Sequence, residues 1–138
     1  MLVGCAGALP AGQDASLGRA DLDGQALFRI ACGGCHRVDA SEMALVGPSL
    51  HGIAGRLAAS RPGHAYSEAL AASGLIWDRT TLSAWIAATE NLVPGTTMSY
   101  ANILTGDEVA RVVDYLLEVG PMQERHDDGS FQDSGSRQ

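Results

Sequence analysis

Two cysteines and a histidine stand close together in the first third of the chain and could hold a porphyrin. Cys32 and Cys35 are separated by two glycines, and His36 follows the second cysteine directly, which gives the pattern C-x-x-C-H. Each thiol of this pattern can add to one vinyl group of a single porphyrin, and the histidine is then held beneath the iron. The motif therefore predicts one covalently attached haem c with His36 as an iron ligand.

The same residues could instead form a redox-active thiol pair or half of a zinc site. A thioredoxin-like pair is expected in a βαβ context, and no pattern of parallel strands accompanies this one. A zinc site needs further Cys or His residues at ligand spacing. The remaining candidates do not fall into such a pattern, and they are Cys5, His51, His64 and His126. The haem interpretation is therefore favoured over both alternatives.

The far side of such an iron could be occupied by methionine, by histidine or by no protein ligand. Met98 follows Pro94-Gly95-Thr96-Thr97, a turn-forming sequence that could aim a side chain. Many methionines only fill irregular gaps in a core. The spacing by itself therefore leaves the three answers open.

Composition limits the size of the fold and the kinds of partner. A chain of 138 residues forms one small domain with short appendages, and 46% hydrophobic residues support a modest core. The net charge is −7, and all nine basic residues are arginines. That charge argues against a nucleic-acid partner. No apolar run reaches the 18 or more residues that a membrane-spanning helix needs.

The first twenty residues resemble the end of an export signal. Leu2-Val3-Gly4-Cys5 has the small-residue pattern that precedes an acylated cysteine, and Ala6-Gly7-Ala8 fits the A-x-A pattern of ordinary signal cleavage. A basic segment and a full apolar segment are both lacking, so an apolar tail with an accidental cysteine remains the alternative. We expect residues 1–20 to be a leader or tether, with a membrane anchor through Cys5 as one outcome.

The body of the chain, residues 21–121, is predicted to be all-α. Asp21 can cap a first helix with an apolar face that leads into the cysteine motif. Ser67 caps a short helix from Glu68 to Ser73, and Asp78 or Thr80 opens a third helix. The apolar face of the third helix consists of Leu82, Trp85, Ile86 and Thr89. A polar tail, residues 122–138, is predicted to be disordered.

The last helix has the clearest sequence pattern. Thr105 and Glu108 have the spacing of a capping box, in which each side chain bonds the backbone amide of the other residue. One apolar stripe follows at helical spacing, made of Val109, Val112, Val113, Leu116 and Leu117. Gly120-Pro121 ends the helix.

The sequence resembles the mitochondrial-type class I cytochromes c over nearly all of residues 21–120. The matching positions are Gly24, Phe28, Cys32, Cys35, His36, Gly47-Pro48-Ser49-Leu50-His51-Gly52, Gly55-Arg56, Pro62-Gly63, Tyr66-Ser67, Trp77, Leu82, Pro94-Gly95-Thr96, Met98 and Tyr115-Leu116. The resemblance implies a small single-domain cytochrome c fold, with about four to five helices wrapped around one covalently attached haem. It also implies that Met98 is the sixth iron ligand.

The resemblance assigns further roles around that haem. The other ring N–H of His36 should bond the Pro48 carbonyl, and Phe28 should stack on Tyr115 beside the small Gly24. The remaining haem-pocket residues that it implies are Arg56, Tyr66 and Trp77 at a buried propionate, and Trp85, Thr96 and Met98 on the methionine side. A buried propionate needs such donors because an unpaired carboxylate is costly to bury.

Several positions depart from the family pattern. Leu70 replaces an asparagine near the propionate, Trp85 replaces a tyrosine that meets the methionine sulfur, and Tyr100 replaces a phenylalanine at the haem edge. The lysines that surround the haem edge in the mitochondrial proteins are also missing. The matching positions are Ala26, Ala31, Met43, Leu45, Glu90, Thr97, Leu104 and Thr105.

These features predict a single-electron carrier without catalytic residues, because no candidate nucleophile or acid–base pair is left to explain. Its partners would be redox donors and acceptors such as a membrane oxidoreductase, an oxidase or a dehydrogenase, and it would be a monomer. Attachment of haem c is completed on the outer side of an energy-transducing membrane, which predicts a periplasmic or outer-face location. The alternatives are a cytochrome subunit bound permanently to a dehydrogenase, and a peroxidase-type or gas-binding haem domain.

Overall fold

The computed structural model describes residues 18–40 and 45–120. Residues 1–17 of the predicted leader, with Cys5, therefore lie outside the described residues, as do Met43 and the predicted tail. The described chain contains five helices, and its only β pairing is one isolated antiparallel bridge between Leu57 and Ile76. The helices are α1 (Gly24–Ala31), α2 (Glu68–Ala72), α3 (Arg79–Ala87), α4 (Thr89–Leu92) and α5 (Gly106–Glu118). The predicted all-α class is confirmed.

Side-chain caps fix where most of these helices begin. Ser67 caps α2 as predicted, and of the two predicted starts of α3, Asp78 and Thr80, Asp78 is the cap. Thr105 forms the predicted capping box of α5 with Glu108. The prediction for α1 was wrong by two residues. Asp23, not Asp21, accepts the hydrogen bond from the Ala26 amide at 2.8 Å and begins the helix. Asp23 stands directly before Gly24, the first residue of α1, and its side chain accepts from the third amide of the helix, whereas Asp21 lies in the turn that precedes it.

The third predicted helix is divided in two. Ala88 has extended backbone angles (φ −161°, ψ 87°), which ends α3 at Ala87. Thr89 is buried as predicted, but it belongs to the short α4 and not to the apolar face of α3.

On α5, Leu117 is only partly buried, whereas the other four residues of the predicted stripe lie in the core.

The first and last helices cross at a position where no side chain fits. A Cβ atom placed on Gly24 would lie 2.1 Å from the backbone oxygen of Arg111. The predicted ring pair next to it is present, with the centroids of Phe28 and Tyr115 5.7 Å apart and the rings tilted by 52°. Leu27 and Val112 are fully buried in the same region. Helices α1 and α5 therefore form the close-packed base of the molecule.

Two arginines hold the segment before α1 against α5. The guanidinium of Arg111 donates to the carbonyl of Ala20 at 2.9 Å and also to the carbonyl of Leu22. Arg19 forms an ion pair with the buried Glu108 at 3.3 Å. Glu108 also accepts from the amide of Thr105 at 2.8 Å. The same carboxylate therefore caps α5 and pairs with Arg19 in the segment before α1.

The long loop between α1 and α2 is tied to the body by backbone hydrogen bonds. The amide of Gly52 donates to Val119 at 2.8 Å, and the amide of Ala58 donates to Leu75 at 2.7 Å. A loop of this length is uncommon in a compact domain unless it wraps a ligand or serves a function. Among the described residues, no helix is long and apolar enough to cross a membrane.

Candidate haem site

One cavity of about 330 Å³ lies between the loop, helices α2 and α3, and the segment before α5. The ten residues predicted to bind the cofactor all line it, and they are Cys32, Cys35, His36, Pro48, Arg56, Tyr66, Trp77, Trp85, Thr96 and Met98. The rest of its wall is largely aliphatic, including Leu50, Ile53 and Leu82. The fold thus brings residues from distant parts of the sequence around one apolar space.

The cysteine motif forms a tight turn at the end of α1. The amide of Cys32 donates to Phe28 at 2.8 Å, and the amides of Cys35 and His36 both donate to the Cys32 carbonyl at 3.0 Å. Neither cysteine of the turn is paired in a disulfide. Burial, and secondly the neighbouring Cys35, raises the pKa of the Cys32 thiol from 9.0 to about 11.

The ring of His36 is fixed by the loop that follows it. Its Nδ1 lies 2.8 Å from the carbonyl oxygen of Pro48. Since a carbonyl only accepts, Nδ1 carries the hydrogen, and the lone pair of Nε2 is left for a metal. Burial lowers the pKa of His36 and nearby His64 lowers it further, while the bond to Pro48 opposes both. The neutral ring is the form that binds a metal.

Gly47 makes room for that ring. A Cβ at this position would lie 2.3 Å from Cε1 and 2.7 Å from Nδ1 of His36, closer than real Cβ contacts. The amide of Gly47 also donates to the carbonyl of Cys35 at 2.9 Å, which holds the loop against the cysteine turn. The sequence match pointed to Gly47 only as a member of a motif, and the structure gives its physical reason.

Met98 reaches the cavity from the turn after α4. The amide of Thr96 donates to the Val93 carbonyl at 3.2 Å, and the amide of Met98 bonds the Thr96 hydroxyl at 3.4 Å. Gly95 has a φ of 87°, a backbone conformation that glycine adopts without strain. These bonds place a partly buried thioether in the same cavity wall as His36.

A partly buried arginine, Arg56, lies in the loop after the cysteine motif. Arg56 donates from Nη1 to the His51 carbonyl at 3.0 Å, but its buried Nε has no hydrogen-bond partner among the described residues. Burial, and secondly the nearby Arg61, lowers the pKa of Arg56. A guanidinium N–H without a partner in a cavity wall is a suitable donor for an anionic group of a ligand.

Aromatic side chains complete this part of the wall. Trp77 and Trp85 are buried and meet edge to face, with ring centroids 5.4 Å apart. Tyr66 packs against His64 with centroids 4.7 Å apart. Sequence reasoning did not assign His64 to the cavity, and no motif around Pro62-Gly63 indicates its side chain. Leu70, the departure from the family pattern, is also buried in this wall.

The residues present fit a haem c. The site combines two thiols on one turn, a neutral imidazole with a free lone pair, a thioether, an apolar wall and an unpaired buried guanidinium N–H. Over residues 18–40 and 45–120, no group of three or more His, Cys, Asp or Glu side chains is placed to hold a metal ion.

A second cleft of about 430 Å³ lies next to Met98, between α4 and residues 96–102.

Comparison with known proteins gives a consistent match over the described domain. The family model for cytochrome c matches residues 22–120. A cytochrome c type-1 of Ascaris suum is 38% identical over 95 residues, which is 69% of this chain and 84% of that protein. A cytochrome c2 of Rhodoblastus acidophilus is 41% identical over 80 residues, covering 58% of this chain and 74% of that protein. The solved structure of cytochrome cH from Methylobacterium extorquens is similar with a TM-score of 0.61 and 37% identity, covering 67% of this chain and 92% of that one.

Proposed function

The chain belongs to the cytochrome c family, and we propose on that premise that it shuttles single electrons between redox proteins, with His36 and Met98 as its iron ligands. Membership makes the protein a haem-containing electron carrier with one covalently attached haem c. The observation that carries the proposal is the presence of His36, Met98 and both cysteines in the wall of one cavity.

The protein's residues would hold and shield the group while the haem supplies the one-electron change in iron valence. Cys32 and Cys35 would attach it, and His36 and Met98 would bind its iron. Because the His36 ring is held by the Pro48 carbonyl and the Met98 amide by the Thr96 hydroxyl, little rearrangement would accompany a change in charge. Methionine–histidine ligation raises the potential relative to two histidines.

Arg56, Tyr66 and Trp77 would face the propionate side. The unpaired Nε of Arg56 supports this assignment, because a buried carboxylate needs a charged or hydrogen-bonding partner. Trp85 and Thr96 would pack beside Met98. We place the carrier in the periplasm or at the outer face of an energy-transducing membrane, since the attachment of haem c is completed there.

A ligand substitution tests the proposal. The oxidised holoprotein should show the weak far-red absorption band of an iron–thioether bond, and Met98→Ala should lose the band, lower the potential and let the reduced iron bind carbon monoxide. Thr97→Ala, a change at an exposed neighbour, should leave all three unchanged. If the native protein binds carbon monoxide as readily as Met98→Ala, Met98 is not an iron ligand. That result would favour the alternative of a gas-binding haem domain.

A second candidate function is a cytochrome subunit that stays bound to a dehydrogenase. The exposure of Leu45 and Val46 beside the cavity favours it, because contiguous exposed apolar side chains mark protein contacts. Gel filtration of the solubilised native membrane separates the two candidates. A free carrier elutes at the size of the single chain, whereas a subunit elutes together with dehydrogenase activity.

A further inference from the structure

His64 is a histidine of the cavity wall that is not one of the two proposed iron ligands. It lies in the loop between α1 and α2, is half-buried and lines the cavity. Its ring packs edge to face on Tyr66, with ring centroids 4.7 Å apart and an interplanar angle of 71°. Among the described residues, neither ring nitrogen of His64 has a hydrogen-bond partner. The ring is therefore free to bond a group that occupies the cavity.

The charged and titratable groups near His64 in the described chain are basic side chains and one phenol. They come from the loop and from the cysteine turn, and they are Arg56, Arg61, Tyr66 and His36. Arg61 and Tyr66 lie close enough to Arg56 to act on its charge, and Tyr66 also packs on His64. His64 acts on His36 through charge, while no hydrogen bond or ring contact joins the two rings.

The protein supplies no carboxylate to balance these groups. Among the described residues that line the cavity, none is an aspartate or a glutamate. The ion pairs of the described residues involve neither arginine of this group, Arg56 or Arg61, nor His64. Glu68, the nearest acidic residue along the chain, is exposed at the start of α2 and does not line the cavity. This part of the cavity is therefore suited to an anionic group of a ligand.

We propose that His64 is a further haem-binding residue, whose protonated ring pairs with a haem carboxylate and links reduction of the iron to the uptake of a proton. The proposal rests on the proposed electron-carrier function and adds a dependence of the same site on pH. A protonated imidazole beside a propionate forms a charge-assisted hydrogen bond, the stronger kind in proteins. Tyr66 supports the ring from the side by its edge-to-face contact.

The link between electron and proton follows from the balance of charge. The electron comes from the redox partner and enters the iron, so the ferrous centre carries one positive charge less than the ferric centre. A cation close to that centre is repelled less after reduction, so a ring nitrogen of His64 takes a proton from water more readily. On oxidation the electron passes to the next partner and the proton returns to water.

The redox potential of the holoprotein should therefore depend on pH. Histidine exchanges its proton between about pH 5 and 8. Since the protonated ring favours the ferrous form, the potential should be highest at the acidic end of this range and fall as the pH rises. We expect the ferrous form to bind this proton about tenfold more tightly than the ferric form, which corresponds to a total fall of about 59 mV.

Two substitutions of opposite effect test the role of the ring. His64→Gln cannot carry a charge, so it should hold the potential near the native high-pH value at every pH. His64→Arg keeps the charge and should hold it near the native low-pH value. His51→Gln is the matched control, because His51 lies in the same loop and is half-buried but does not line the cavity. It should keep the native dependence on pH. Redox titration with small mediators at a series of pH values measures all four proteins.

Proton magnetic resonance gives a second measurement that does not use the potential. The imidazole C–H signals that are absent from His64→Gln belong to His64. In the native protein these signals should show that the ring keeps its proton to a higher pH in the ferrous form than in the ferric form. Signals that titrate identically in both forms would overturn the link between reduction and proton uptake.

The mediator titration separates failure of this proposal from failure of the proposed function. If the titration of the native protein is reversible and its potential does not change with pH, only the role of His64 is rejected. The same holds if His64→Gln keeps the native pH dependence, since another group would then exchange the proton. If the native titration is not reversible, the electron-carrier function fails and the role of His64 fails with it.

Discussion

At the scale of single residues, His36 is held by the backbone on two sides. Its Nδ1 lies 2.8 Å from the Pro48 carbonyl, and the face of the ring lies against Gly47. The hydrogen bond fixes which nitrogen points into the cavity, and the missing Cβ of Gly47 fixes how deeply the ring can sit. A ligand held this way is positioned before any metal is present, which limits rearrangement.

Gly47→Ala should therefore disturb haem ligation more than any other small change in the loop. The added methyl group would lie 2.3 Å from Cε1 of His36, so that the ring or the loop must move. We expect a lower yield of holoprotein and a loss of stability of roughly 1–3 kcal/mol, measured by haem absorbance and denaturant unfolding. Gly34→Ala is the control, because nothing lies within 4 Å of its added Cβ. Equal yields of holoprotein for the two variants would contradict the conclusion that Gly47 makes room for the His36 ring.

Arg56 should tune the redox potential through its charge. A partly buried positive charge in the cavity wall favours the reduced form, which carries one positive charge less, so Arg56→Leu should lower the potential. We expect a change on the order of 59 mV, a tenfold shift of a one-electron equilibrium. Arg79→Leu removes an exposed guanidinium that pairs with Asp114 and should change the potential little. Equal shifts in the two variants would show that Arg56 does not face the buried anion.

The residues of the site differ in how far the sequence could reveal them. The cysteine motif is contiguous and could be interpreted directly, and Met98 became a candidate through its turn and the family resemblance. His64 has no such local signal, because its position in the cavity wall depends on the path of the whole loop. The burial of Leu104 was missed for the same reason, since alignment identifies a position but not its exposure.

At the scale of the helices, the crossing of α1 and α5 depends on Gly24. Gly24→Ala would bring a methyl group to 2.1 Å from the Arg111 backbone and 2.8 Å from the Tyr115 Cβ. Backbone cannot move aside cheaply, so we expect a loss of roughly 1–3 kcal/mol or more in the free energy of unfolding. Gly106→Ala at the start of α5 meets nothing within 4 Å and should be neutral or stabilising. Thermal and denaturant unfolding of both holoproteins check this, and equal stabilities would refute it.

The cap of α3 should make stability depend on pH. Asp78 Oδ1 accepts from the Thr81 amide at 2.8 Å, and this bond, helped by the Thr81 hydroxyl, lowers the pKa of Asp78 below its usual 3.8. A lowered pKa in the folded state means stabilisation that is present above pH 3.8 and is lost as the pH falls further. The melting temperature of the native protein should thus exceed that of Asp78→Asn near neutral pH, and the difference should vanish in acid.

The control for that measurement is Asp21→Asn, because Asp21 lies before α1 and does not cap it. Its difference from the native protein should not follow the same acid dependence. A constant difference for Asp78→Asn at every pH would mean that the carboxylate charge contributes nothing beyond a neutral acceptor.

The helices could be predicted well where their ends depend on neighbouring residues. Thr105 with Glu108, Ser67 and Asp78 have local capping patterns, and the structure confirms all three. The start of α1 was less certain because two aspartates stand two residues apart. The break at Ala88 was missed because no proline or glycine stands there, and the extended angles at that residue are set by the surrounding structure.

At the scale of the whole molecule, the helices form only part of a complete core. Helix α5 packs against α1 and α3, and α3 also packs against α4, but within the described chain α2 packs against no other helix. The residues between α1 and α2 line the cavity and are joined to the rest of the domain mainly by backbone hydrogen bonds. The all-α class follows from sequence periodicity, whereas the arrangement of the loop depends on the group that it encloses.

The haem should therefore be needed for the fold itself. Without the group, the largely aliphatic and aromatic wall of this cavity would lose the body that it packs against and would face water. Small domains are stable by only about 5–15 kcal/mol in total. The double variant Cys32→Ala/Cys35→Ala, purified without haem, should lose most of its helical circular dichroism at room temperature.

The control for that loss is the same variant mixed with free haem. Because His36 and Met98 remain, noncovalent binding should restore much of the helical signal and a cooperative thermal transition. This recovery would separate loss of the cofactor from damage by the two substitutions. A haem-free double variant with native helicity and a sharp melting transition would instead show that the packing of α1, α3 and α5 is enough for a stable fold. The loop would then take its path without an enclosed group.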